Sequence, residues 1–577
     1  MFNKLNNGKT QFKLSRTILF FFLMILPFSQ CMTLNANNIQ KIAPTESIDY
    51  LIITSESFFP LLQPFALWKV QRGLSVAIVT VEDIIKNYSG RDTPESIRNC
   101  IKDLYKTKNL QWVLLAGNDN HVPTRSVKTN GQTVICDQYY SILHDNWHYN
   151  SDETVSFIDY FDWETEVYIG RLPAENAMQM ELLINRTLKY ENSPPVGSWM
   201  KHALFAGAFA SYKADVNQND EFDNEDQPGF DANRFHNWLN TQIIPEDWSS
   251  TLLAEDEGIN PSDSYYDKPL NEEIIAEEIN KGATICNFDA HGSATGMFRY
   301  IFSNDEDKDG LFDQNQDDSY STPFFTTSSS NINTEGKNGL YFLCACSTGD
   351  FDLSGVGLAE YVLYNCGIGC IASSRSAYYE AGWIERDHAG WRTQGLSGRF
   401  WKHLLEEKVA QPGKAFIEAK KAYVSDFISF NGPLEQNNQT LIQYNLLGDP
   451  EVPIWTDIPS KLELDKIEDE SYLILEVKSN NQPVNDVTVT ILNSTYNWVG
   501  MTNNTGQTIV PVSSEDLDNL TLTLTKPNFL PYQEIAGIPI FTKYNLSQNN
   551  SSIPFPSIIE VSVFIILMVS LHAKKRK

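Results

Sequence analysis

The chain has 577 residues, enough for two to four domains and a sizeable core. Its 73 Asp and Glu against 44 Lys and Arg give a net charge of -29, which argues against a nucleic-acid partner and gives a self-repelling, soluble surface. Eight cysteines over this length are too few for a disulfide framework.

Lys4, Lys9, Lys13 and Arg16 precede the apolar run 18–28, the layout of a secretory signal peptide, with cleavage expected after Ala36. The alternative is an uncleaved N-terminal anchor, although that run is too short to span a bilayer. A polar linker, 37–47, follows. Apolar runs then predict strands at 50–54, 75–81 and 112–117, with helices at 61–71 and 93–106. This alternation implies a parallel sheet covered by helices. Residues 137–163 are acidic and aromatic and read as loop. A short strand in TEVYIGRLP, an amphipathic helix at 176–191 and the Pro194-Pro195 break close a first α/β half, 49–195.

The second half, 196–457, opens with the small-residue strand HALFAGAFA and the acidic loop DVNQNDEFDNED, then helices at 230–241 and 271–280. GATICNFDAHGSATG follows from Gly282, and GLYFLCACSTGDFD from Gly339. Both are short, buried-type strands that end at a chemically active residue, His291 in one and Cys346 in the other. Ligands of open α/β sheets bind at the carboxyl ends of strands, so the two side chains are expected in one crevice. Cys346 is the candidate nucleophile and His291 the candidate acid/base. Gly292 lets backbone approach a reacting carbonyl, and its N–H with that of Cys346 is the candidate oxyanion hole. The plainer reading makes Cys344 and Cys346 buried core thiols and His291 a satisfied strand-end histidine. A helix at 355–364, a parallel strand at 367–373, and helices at 395–406 (capped by Thr393) and 415–430 complete this half. Cys100 and Cys136 read as structural, and CGIGC (Cys366, Cys370) as core thiols rather than a zinc site.

HGS and ACSTGDF resemble the His-Gly and Ala-Cys-x-x-Gly-Asp-Phe signatures of the gingipain family of cysteine peptidases, which shares a fold with caspases, legumains and separases. DYLIITSESFFPLLQPFALWKVQRGLSVAIVTVEDI, WVLLAGNDNHVPT, EVYIGRLPAEN and NLLGDPEVPIW are similar to further family blocks, in the family's order, from about Asp49 to Thr456. The resemblance implies an α/β, caspase-like parallel sheet flanked by helices in two halves. It also implies that Glu166, at the EVYIGR position, lies near the catalytic His and orients His291. The alternatives for Glu166 are an ion pair with Arg171 or a solvated edge charge. Gingipains cut after Arg or Lys, and the elements that read that charge are not recognisable here: Gln179 follows EVYIGR, and Arg375 suits an acidic substrate group or a pair with Glu380 or Glu385.

Between the two candidate catalytic residues, NDEDKDGLFDQNQDD sets Asp305, Asp307, Asp309, Gly310 and Asp313 at EF-hand-type spacing, with Gln316 at position 12 and Asp317 next. Structural calcium is therefore the expected cofactor, with Asp305, Asp307, Asp309, Asp313 and Asp317 as ligands; a solvated acidic loop is the alternative. No organic cofactor is implied. The spacing of Asp215, Asn217, Asn219, Asp223 and Asp226 is similar but lacks the turn glycine.

From 460 to 541 strict alternation in YLILEVKS, VTVTIL, QTIVPVS and LTLTLTK predicts a small β-sandwich resembling the immunoglobulin-like modules that follow gingipain catalytic domains. Sequons at Asn438, Asn493, Asn503, Asn519, Asn545, Asn549 and Asn550 fit an exposed, glycosylated stalk. Residues 542–577 combine a polar linker with the apolar stretch 558–571 and Lys574, Lys575, Arg576 and Lys577, a membrane anchor or a sorting tail. The whole reads as a secreted, surface-tethered cysteine endopeptidase acting on protein or peptide substrates. A sortase-like transpeptidase and a non-catalytic adhesion protein on a retained peptidase fold are its rivals.

Overall fold

The computed structural model describes residues 47–534 except 145–146, 153, 158–162, 215, 217–221, 224–225, 307, 309, 313–318, 353, 386–388, 428–433, 470–471, 494–495 and 513–519. The signal-peptide and anchor segments lie outside the described residues. Among those described, no helix is long and apolar enough to cross a membrane.

In the first half, β1 (Tyr50–Thr54), β2 (Val76–Thr80) and β3 (Trp112–Ala116) pair in parallel, with Tyr50 opposite both Val76 and Trp112. Their near-continuous apolar sequences are buried because helices cover both faces. Those helices are α1 (Gln63–Gln71), α2 (Val81–Asn87) and α3 (Thr93–Lys108). The α3 helix starts where the Asp92 carboxylate accepts the Glu95 N–H and stops at Asn109, left-handed at φ 63°. β4 (Ser126–Thr129) and β5 (Gln132–Ile135) come next, and the expected loop 137–163 instead contains β6 (Trp147–Tyr149) and β7 (Val155–Phe157); the four strands form a patch that buries Val127, Val134, Trp147 and Phe157. Aromatic residues in an acidic stretch here pack against one another rather than solvate. The half closes with β8 (Tyr168–Leu172) and α4 (Ala177–Asn192).

The second half contributes β9 (His202–Gly207), β10 (Phe209–Ser211), β11 (Phe230–Asp231), α5 (Ala232–Gln242), β12 (Ser249–Ala254), β13 (Lys268–Pro269) and α6 (Glu272–Lys281). Gly282, at φ 86°, ends α6 and turns the chain into β14 (Ile285–Asp289). A small antiparallel sheet follows, β15 (His291–Ser293), β16 (Gly296–Phe302) and β17 (Ser319–Thr326), then β18 (Gly339–Cys344), α7 (Leu358–Asn365) and β19 (Gly367–Ser373). The last elements are α8 (Arg392–Leu405), α9 (Pro412–Phe427), α10 (Leu434–Gln443) and β20 (Tyr444–Gly448).

One eleven-stranded sheet joins the halves in the order β13-β12-β9-β14-β18-β19-β20-β8-β3-β1-β2. Every pair is parallel except β19–β20, so the two halves run in opposite directions across that seam. The carboxyl ends of β14, β18 and β19 therefore share an edge with the start of β8, not with its end. Behind the seam the Lys69 ammonium, fully buried on α1, donates to Glu191 (3.0 Å) and Glu451 (2.8 Å), while Tyr50 Oη donates to Asp449 (2.7 Å). These bonds clamp the chain after β20 onto the first half.

Thr393 is no cap: α8 begins after Trp391, and Thr393 is buried with its hydroxyl against Tyr444 Oη at 3.3 Å. Asn438 is not on a stalk either but is buried within α10. Downstream, 463–469, 472–479 and 507–510 form one sheet and 488–492, 497–501, 521–525 and 532–534 another, enclosing Leu475, Val477, Val489, Ile491, Leu522 and Leu524. Thr456 N–H bonds Asn528 Oδ1 (3.0 Å) and Gln533 Nε2 bonds Gln71 Oε1 (3.1 Å), seating this module against α1.

Candidate active site

Neighbouring strands β14 and β18 carry the two candidate residues just past their ends. Asp289 lies opposite Cys344, and Ala290 N–H donates to the Cys344 carbonyl at 3.3 Å. The two loops approach closely at Gly292: a Cβ there would stand 2.6 Å from the Cys346 carbonyl oxygen and 2.7 Å from the Ala345 Cβ, closer than real Cβ atoms come. Only glycine permits it. Helix α7 then fixes both loops, since Leu358 N–H donates to Ala294 O (2.8 Å) and Ala359 N–H to Thr348 O (2.9 Å). First-turn helix N–H groups have no intrahelical acceptor, and these two are spent on the His291 and Cys346 loops.

Cys346 itself lies in the turn after β18, not in the strand. Ser347 is left-handed at φ 56°, its N–H donates to Arg375 O (2.8 Å), and Gly349 N–H donates to Ser373 O (2.8 Å). The half-buried thiol faces Ala377, 3.3 Å from its N–H and 3.5 Å from its carbonyl. Cys344 is a core residue, 3.9 Å from Asn287 Nδ2.

His291 donates Nε2–H to the Ala210 carbonyl at 2.9 Å, and Tyr300 packs on its ring with centroids 5.2 Å apart. A carbonyl only accepts, so Nε2 carries the proton and Nδ1 of the neutral ring keeps its lone pair. A family model described as "Peptidase family C25" matches residues 43–455 and spans all these elements. The chain belongs to peptidase family C25. Gingipain R2 of Porphyromonas gingivalis is 26% identical over 268 residues, 46% of this chain and 30% of that protein. Gingipain R1 of the same organism is 25% identical over 249 residues, 42% of this chain and 20% of the relative. The chain thus spans about a third or less of the length of these curated relatives. The crystal structure of the Arg-specific cysteine proteinase gingipain R superposes with a TM-score of 0.61 at 19% identity, over 86% of this chain and 98% of that one. The complex of Porphyromonas gingivalis RgpB pro- and mature domains gives 0.60, also at 19% identity, over 84% and 99%. The fold is shared with both.

In this C25 chain Glu166 does not orient His291. It precedes β8, and β18, β19 and β20 separate β8 from β14. Four strand spacings make about 19 Å. Its carboxylate instead accepts the Leu143 N–H (2.7 Å) and approaches His144 Nδ1 (3.2 Å). Arg171 is not its partner either, because that guanidinium is buried in a bidentate pair with Asp137, both bonds 2.7 Å. Arg375 meets neither Glu380 nor Glu385 but Asp350 (2.8 Å) and Asp352 (3.0 Å), both within the Cys346 motif. A guanidinium matched by two carboxylates is not a free cation for an acidic substrate.

Beneath the pair of family C25 residues runs a polar ladder that the sequence reading missed. Asn287 Oδ1 accepts Ser397 Oγ–H (2.5 Å) and Trp401 Nε1–H (2.9 Å), and Asn287 Nδ2 meets His236 Nε2 at 3.0 Å. Asp289 Oδ2 accepts Gln394 Nε2–H (2.8 Å), and Gln394 Oε1 accepts Glu380 N–H (3.2 Å). An Asn and an Asp inside an apolar strand were the signal for it, since buried polar groups need partners. Burial pushes the Asp289 carboxyl up to about 7. It also holds the His291 imidazole below its ordinary range, against the pull of the Ala210 bond, and pushes the Cys346 thiol up, against the Ala377 N–H. At neutral pH the resting pair is thiol and neutral imidazole.

For calcium, Asp307, Asp309, Asp313 and Asp317 lie outside the described residues. The Asp305 carboxylate accepts N–H groups from Lys308 (2.7 Å) and Gly310 (3.1 Å), closing the start of the loop. No group of three or more His, Cys, Asp or Glu among the described residues is arranged to hold a metal ion.

Proposed function

We propose that this chain is a secreted, surface-tethered cysteine endopeptidase. The observation that carries the reading is the Gly292 contact, which presses the His291 loop against the Cys346 backbone while Ala210 fixes the imidazole tautomer. Cys346 Sγ attacks the scissile carbonyl as His291 Nδ1 takes the thiol proton. The N–H groups of Gly292 and Cys346 receive the oxyanion. His291 then returns the proton to the departing amine, leaving a thioester on Cys346. A water, deprotonated by the same Nδ1, attacks that thioester and restores the thiol. Ala210, rather than a carboxylate, supports the ring throughout.

The productive free enzyme holds one proton between the pair. Adding a second makes imidazolium, which blocks the base, and removing the one leaves no acid for the amine. Because His291 is shifted down and Cys346 up, kcat/KM on a peptide amide is expected to show a broad plateau. Its acid limb should fall below the ordinary imidazole range and its alkaline limb above the ordinary thiol range. A narrow bell whose acid limb lies above the ordinary imidazole range would overturn the scheme.

Secretion rests on the basic-then-apolar start of the sequence, and tethering on the 558–571 stretch with its terminal basic cluster. Deleting residues 556–577 should move the protein from the membrane fraction to the medium with peptide turnover retained. Retention of the truncated protein on membranes would point to the N-terminal run as the anchor.

A further inference from the structure

The segment that lines the Cys346 thiol continues into a contact with the other half of the molecule. Ala377 touches Sγ, and the next residue, Tyr378, reaches the tip of the β4–β5 hairpin. There its hydroxyl accepts N–H bonds from Asn130 Nδ2 (3.0 Å) and Gln132 Nε2 (3.3 Å). The hairpin is held at this edge by Ile135 O, which accepts both Ser374 Oγ–H (2.9 Å) and Asn445 Nδ2–H (3.0 Å). Its tip is a two-residue Asn130-Gly131 turn with both residues at positive φ, 46° and 71°, a rigid hairpin connection.

Against this tip lies an open groove of about 610 Å³, between the hairpin, β7 and α10. Thr129, Asn130, Gln132, Thr133, Ser156 and Asn438 line it, all uncharged and polar. Of its two charged wall residues, Lys128 is paired with Asp152, and Glu435 disfavours an acidic occupant. The Tyr378 hydroxyl, accepting two amides, keeps its own proton to donate, while Asn130 Oδ1 and Gln132 Oε1 accept nothing from the described residues. Donors and acceptors of this mixed kind match amides and hydroxyls rather than an ion or an apolar side chain.

We propose that this groove is an extended subsite of the peptidase, taking a substrate stretch rich in Ser, Thr, Asn or Gln a few residues from the scissile bond. The assignment rests on the peptidase reading. Tyr378 bonds two residues of the groove wall and directly follows Ala377, which touches the Cys346 thiol, so occupying the groove couples remote binding to the reacting carbonyl. Sites built to hydrogen-bond a substrate group reject analogues that lack it, because their own polar atoms are left unpaired.

The test compares quenched-fluorescence peptides built on a sequence the full-length enzyme cleaves, with Ser/Asn or Val/Leu placed roughly three to five residues from the cleaved bond on either side. The polar series is expected to exceed the apolar series in kcat/KM by about tenfold on one side only. Gln132→Leu and Asn130→Gly, the second keeping the positive-φ turn, should each bring that ratio toward one; Tyr378→Phe should lower it too. Equal ratios for the wild type on both sides would overturn the proposal even if every variant misfolds. A wild-type preference that survives both hairpin substitutions would also overturn it. If no peptide is cleaved by an enzyme that folds, the peptidase reading itself has failed and the subsite with it.

Discussion

Cys346→Ala is expected to lower peptide turnover by roughly 10³-fold or more, leaving only what binding and the oxyanion donors supply. The melting temperature should barely move, because the half-buried thiol makes only the Ala377 contacts. Cys344→Ala should do the opposite. Cys344 is buried beside Asn287, so its loss costs on the order of 1 kcal/mol of stability, with turnover retained by the folded fraction. The contrast is informative because the two thiols sit two residues apart in the same motif. Turnover by Cys346→Ala together with a folded but dead Cys344→Ala would place the nucleophile one step deeper than the geometry here.

Gly292→Ala is expected to cost roughly 10²-fold or more in kcat, a loss comparable to that of an oxyanion donor. The added Cβ has no room against the Cys346 carbonyl and the Ala345 and Thr348 side chains, so the His291 loop must back away. A shift of that loop moves both the imidazole and the Gly292 N–H relative to the thiol, and sub-ångström misplacement is enough to cost catalysis. Ser293→Ala, one residue on, adds no volume against Cys346 and serves as the control. Unchanged kcat in Gly292→Ala, measured on protein with a wild-type melting curve, would show that the close approach is not needed for chemistry.

That His291 and Cys346 come together at one edge was legible because both follow short apolar strands, and ligands of α/β sheets bind at the carboxyl ends of strands. Most of the first half was legible for the same reason, its runs being unambiguous in length and period. The direction of β20 was not. Tyr444–Gly448 follows α10 without a turn signal, and a five-residue apolar run says nothing about which way it will pair. That one antiparallel seam is what puts Glu166 at the right edge but four strands from His291. The family resemblance suggested a partner, whereas strand order excludes it. The true support of His291 is a backbone carbonyl, a group every residue carries, so no side-chain pattern announces it. The Asn130-Gly131 pair between the alternating SVKT and QTVI was, by contrast, a readable hairpin signal that went unread, just upstream of the stretch taken for loop.

The proposed mechanism requires that Cys346 form the acyl-enzyme and that His291 drive it. It is tested most directly by mixing the purified full-length protein with a peptide ester, quenching in acid within the first turnovers, and mapping the acylated residue by mass spectrometry. The expected result is a single acyl adduct on Cys346 in the wild type and in Cys344→Ala, with its formation slowed at least roughly 10²-fold in His291→Ala. An adduct on any other residue, or equally fast acylation without His291, would contradict the account.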